Sequence, residues 1–197
     1  MKKKTQNPVV LTGIMIAVAA LIIAGFFIVR DRAAKKQENK KSKNEVQKLI
    51  EMNLDENYPG NAREVLKIHN RLMKCYYNEE LTETEIRKLS AQNYKLFDKE
   101  LMEKNPYEDY LKRLIKDIAN YKTLKITVIN TSIQDFSEAE REVKGGYNFC
   151  NLLTSYFLKE ESARKTVNHK FYLREDDDGK WKILFWEKTE KTFGSRE

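Results

Sequence analysis

Apolar and polar residues fall into two periodicities along this chain, and the change of period falls near Leu124. From there on four runs, LKITVINTSIQ, YNFCNLLTSYFLK, ARKTVNHKFYLR and KWKILFWEK, carry the β-branched and aromatic residues that suit a pleated surface. The first alternates Leu124, Ile126 and Val128 against Lys125, Thr127 and Thr131. The third sets Lys165, Val167, His169, Phe171 and Leu173 on one face and Arg164, Thr166, Asn168, Lys170 and Tyr172 on the other. In the fourth, Trp181, Ile183 and Phe185 oppose Leu184 and Trp186. Aromatics on both faces of one strand point to strong curvature or to a homodimer through the sheet. Ser137 to Gly146 reads as a polar excursion closed by Gly145-Gly146, and the turns at Glu160-Glu161-Ser162 and Asp176–Gly179 make the last three strands a meander.

Before Leu124 the period is helical. Asn61 with Glu64 opens AREVLKIHNRLMKCYYN, whose Val65, Ile68, His69, Leu72, Met73 and Tyr76 form one stripe. Thr82 with Glu85 opens a short helix expected to end near Leu89, and a third helix places Tyr94, Phe97 and Leu101 on one face. Asn105 as cap, Pro106 in the first turn and Glu108 behind it predict a fourth. Its apolar face, Tyr107, Tyr110, Leu111, Leu114, Ile115 and Ile118, is expected to lie on the sheet. The fold class is therefore α+β, with three to four helices packed on a curved four-stranded antiparallel sheet.

Pro8 to Val29 is an uncharged run of 22 residues. As a helix it measures about 33 Å, enough to cross a hydrocarbon core of ~30 Å. A cleaved signal peptide is the rival, but Ala17-Val18-Ala19 sits in the middle of the run, which is longer than the usual apolar region of a signal. The expected organisation is a basic tail (1–7), a transmembrane helix (8–29), a charged helical stalk (30–57), a domain (58–190) and a short tail (191–197). The bilayer is thus one expected partner. Lys and Arg behind the run outnumber those before it, which favours a cytoplasmic domain. The layout of short basic tail, apolar run and domain is that of an uncleaved signal-anchor, and on that ground the domain is expected outside the cytoplasm.

Charge changes the picture once it is located. The net +7 of the 197 residues falls entirely within residues 1–45, and the remainder is neutral. A phosphate-binding face needs a surplus in the domain, so nucleic acid is not an expected partner. Cys75 and Cys150 lack metal-ligand spacing and are too few for a disulfide framework. They are expected as free thiols in or near the core, and neither a metal nor a cofactor is expected. The acidic run Asp176-Asp177-Asp178-Gly179 lacks the spacing of a calcium loop.

Helices followed by a curved antiparallel sheet resemble the cone-shaped roll of the nuclear-transport-factor-two-like superfamily, over about Tyr58 to Lys188. The segments YPGNAREVLKIHNRLMKCYYNEELTETEI, LFDKELMEKNPYEDYLKRL and DDGKWKILFW resemble a bacterial family of single-pass membrane proteins with no assigned function. The superfamily resemblance implies either a pocket enzyme or a non-catalytic binding module. Its enzymes work through carboxylates inside the cone, whereas the central strand residues here include no Asp or Glu; Glu160, Glu175 and Glu187 lie at strand ends. The expectation is a non-catalytic interaction or sensing module with a protein partner, not an enzyme. The alternative is a ligand-binding or catalytic cone pocket using His169 and His69, with Tyr76 and Tyr110. A histidine on an apolar face is more often a core residue than a catalyst.

Overall fold

The computed structural model describes Arg30 and residues 45–192. The expected basic tail, the transmembrane run Pro8–Val29 and most of the stalk lie outside the described residues. Among the described residues no helix is long and apolar enough to cross a membrane.

Helical residues 45–50 (α1) precede α2 (Ala62–Asn78), α3 (Glu83–Tyr94), α4 (Lys99–Lys104) and α5 (Tyr107–Thr123). The strands are β1 (Ile126–Ile133), β2 (Glu140–Lys144), β3 (Tyr147–Glu160), β4 (Ala163–Glu175) and β5 (Trp181–Thr189). All pair antiparallel in the order β1-β3-β4-β5, and β2 pairs with the other half of β3, Glu140 opposite Asn151. The sheet therefore has five strands, not the four expected. The polar excursion hides β2, because all five of its residues are exposed and only Val143 is apolar. Gly145 and Gly146, both at left-handed φ (59° and 83°), close its hairpin with β3.

Local chemistry accounts for most helix ends. The Asn61 side chain accepts from the Glu64 amide at 3.0 Å, and Thr82 with Glu85 forms a reciprocal capping box. The helix behind Thr82 runs to Tyr94, not to Leu89, because it buries a mixed seam of Leu89, Ser90 and Asn93 in place of an apolar stripe. The expected third helix is correspondingly short: Asp98 caps α4, and Leu96 and Phe97 leave helical geometry to meet β5. Asn105 is not the cap of α5. Pro106 holds that position, and its carbonyl accepts from Asp109 and Tyr110 at 3.0 and 2.9 Å. Asn105 instead donates to the Leu101 carbonyl and accepts from Arg113, joining the end of α4 to α5.

The core forms between α2 and the inner sheet face. Val65, Leu66, Leu72 and Tyr76 are buried against Val128, Leu152, Phe171, Leu173 and Ile183. α5 buries Leu111, Leu114 and Ile118 but turns Ile115 outward. It lies against α2 and α3 as well as β1, so its apolar face is covered largely by helices and not by the sheet alone. Val46, Leu49 and Leu54, from the stretch expected to be stalk, belong to this core. Gln92 fixes that stretch by donating to the carbonyls of Ile50 and Met52 at 3.0 and 2.8 Å.

β5 departs from simple alternation. Ile183 lies opposite Leu173 and Phe185 opposite Tyr172, which leaves Leu184 as an extra residue in a β-bulge. Trp181, Ile183 and Trp186 therefore share the helix side, while Phe185 faces outward and stacks on Tyr172 at 4.2 Å. The expected grouping of Phe185 with Trp181 and Ile183 is corrected by this one-residue insertion.

Candidate functional site

α2, α3, α5 and β5 enclose a cavity of about 200 Å³. Its floor is a chain of hydrogen bonds in which His69 and Asn93 are buried and Tyr110 is half-buried. His69 Nδ1 donates to Asn93 Oδ1 at 2.8 Å, and Asn93 Nδ2 donates to the Tyr110 hydroxyl at 2.8 Å. One buried amide thus links three helices, and its oxygen fixes the histidine tautomer: Nδ1 carries the proton and Nε2 is a bare acceptor.

Burial sets the charge state of this floor. Desolvation lowers the His69 pKa to about 4 and outweighs the Asn93 hydrogen bond, which acts in the opposite sense. It pushes the Tyr110 hydroxyl up to about 12 and that of Tyr76 well above its ordinary value. Near neutral pH every one of these groups is uncharged. The walls are aromatic and aliphatic. Trp186 lies 6.0 Å from the His69 ring, Phe97 meets Tyr110 edge-on at 5.3 Å, and Met73 and Leu101 complete the lining. Arg113 and Asp117, four residues apart on α5, are exposed at the rim of the cavity.

Of the four residues expected in a pocket, the structure brings His69 and Tyr110 together here. Tyr76 is fully buried, its hydroxyl in electrostatic contact with that of Tyr110, and does not line the cavity. His169 lies elsewhere on the inner face, half-buried, with its ring 5.4 Å from Tyr156 and 6.2 Å from Phe171. Burial, and secondarily Lys188, lowers its pKa too. Sequence reasoning missed Asn93, because ending α3 near Leu89 left it without a helical position. It also missed Asp117 and Arg113, which look like ordinary surface charges on an amphipathic helix.

A wider cleft of about 330 Å³ opens beside the β2–β3 hairpin, lined by Phe136, Arg141 and Trp181 among others. Its charged groups, Arg141 and Glu142, are exposed on β2, so solvent weakens any ligand contact there. The smaller cavity, floored by buried polar groups, is the better candidate. Among the described residues no cluster of three or more His, Cys, Asp or Glu side chains is placed to hold a metal ion.

Fold and site together define an α+β domain, helices on an antiparallel sheet, with one small aromatic-walled cavity whose floor is neutral. Residues 1–186 match the model of a family described as a domain of unknown function (DUF6715), and the chain belongs to that family. None of the curated proteins matches the chain.

Proposed function

We propose that the protein is a non-catalytic interaction or sensing module tethered to the cell membrane. Its tether is the uncharged run Pro8–Val29, and its domain is a cone of the nuclear-transport-factor-two-like kind held outside the cytoplasm. The observation that carries the non-catalytic reading is the environment of His69. Its ring is bonded to an amide, not a carboxylate, and a pKa of about 4 makes it a weak base where general catalysis calls for one near the working pH. His169, the other imidazole, does not line the cavity. The outward pair Tyr172 and Phe185 is the surface offered to a protein partner or to a second copy of the chain. The second reading, a pocket enzyme, has the shared position of His69 and Tyr110 in its favour.

Membrane fractionation tests the proposal. Alkaline carbonate should leave the full chain in the pellet, and protease added to spheroplasts should degrade the domain. Release by carbonate would remove the tether, and protection until lysis would place the domain in the cytoplasm. In-cell cross-linking tests the partner surface, where Phe185→Glu should abolish the cross-linked species.

A further inference from the structure

We infer that the cavity between α2, α3, α5 and β5 binds a small, uncharged ring compound that carries one hydroxyl or N–H donor, which it gives to Nε2 of His69. This rests on the reading above in one respect, that the ligand is held and not converted.

The size of the space comes first. About 200 Å³ is below the range of drug-sized pockets and accommodates one ring or two fused rings. Shape and polarity come next. Phe97, Tyr110 and Trp186 offer ring faces and edges to a flat apolar body, and such contacts add to simple area burial. Arg113 and Asp117 are exposed at its rim, where solvent weakens their pull, so a charged ligand would leave water for a floor that offers no compensating charge.

Direction supplies the specificity. Asn93 gives its amide N–H to Tyr110 and its oxygen to His69, which commits Nδ1 of the imidazole as donor. What remains is Nε2, an acceptor on a ring that burial keeps neutral. A ligand that reaches it without a donor leaves that acceptor desolvated and unpaired, a loss worth tenfold or more in affinity.

The chain has two tryptophans, so Trp181→Phe leaves the indole N–H of Trp186 as a single reporter in a ¹⁵N spectrum of the full-length protein. The probes are 5-indanol and its methyl ether, which have nearly the same shape but differ in the donor. We expect 5-indanol to shift the Trp186 resonance saturably, with the ether at least tenfold weaker. His69→Phe should bring 5-indanol down to the level of the ether, and Leu101→Phe, which fills part of the space without adding an indole, should weaken both. If His69→Phe does not fold, the comparison of the two probes on the His69 chain decides alone. Absence of a saturable shift, or equal affinity for the two probes, overturns the inference. Recovery of a chemically altered probe would overturn the non-catalytic reading and leave the site standing.

Discussion

Arg174 of β4 grips Asp98, the capping residue of α4, through both carboxylate oxygens, Nη2 at 2.6 Å from Oδ1 and Nε at 3.0 Å from Oδ2. Its third nitrogen reaches Glu100 at 2.7 Å, and Asp98 is buried. The same aspartate donates its backbone N–H to the Ile183 carbonyl at 2.8 Å, so helix cap, β4 and β5 meet at one ion pair. Arg174→Ala leaves a buried carboxylate without its partner and should cost about 3–5 kcal/mol in urea unfolding. Arg174→Lys should recover only a fraction, since a single ammonium cannot reproduce the fork. A loss under 1 kcal/mol for the alanine variant would mean that solvent reaches Asp98.

Two neighbours on α5 make a contrasting pair. Leu114 is buried, while Ile115 is 36% exposed. Leu114→Ala should cost about 2–5 kcal/mol and Ile115→Ala well under half of that. Equal losses would show that the helix sits in a different rotation about its axis.

Where a residue's neighbours in sequence decide its role, the sequence was readable. Asn61 and Thr82 cap as their spacing predicts, and Val167, Phe171 and Leu173 share the inner face by alternation alone. It failed where a distant group competes with a local rule. Asn105 has the form of a cap, but Arg113 and the Leu101 carbonyl take its side chain. Leu184 breaks alternation because β4 pairs around it, a fact visible only in the register. β2 lacks an apolar stripe because neither face is covered. The cavity shows the same division: His69 and Tyr110 stand out on apolar helix stripes, but Asn93, which joins them, is polar, buried and silent in any hydrophobic pattern.

The two thiols give a third prediction. Cys75 on α2 and Cys150 on β3 are both buried and free, and desolvation raises their pKa to about 12 and about 11. The thiolate is the reactive form, so at pH 8 neither should react quickly with a disulfide reagent in the folded protein. Two thiols per chain should appear only on unfolding. A thiol that titrates at once under native conditions would place one of them at the surface.

The pH dependence of stability follows from His69. In the folded chain its pKa is about 4, against an ordinary value of 6.5. Between those values the unfolded chain holds a proton that the folded chain does not, so acid favours unfolding. This contribution to stability is complete above about pH 6.5, falls as the pH drops toward 4, and is flat below that. Over the whole window it amounts to about 3 kcal/mol. The lowered pKa of His169 acts in the same direction, so His69 must be isolated by difference. His69→Gln removes the titration while keeping an amide N–H for Asn93, whereas carboxylates titrate alike in both chains. Urea unfolding at pH 7, 5.5 and 4.5 should show the His69 protein losing stability faster than the glutamine variant, with the gap narrowing as acid increases. Parallel losses would mean that His69 titrates normally and is open to water, and the neutral acceptor at the cavity floor would go with it.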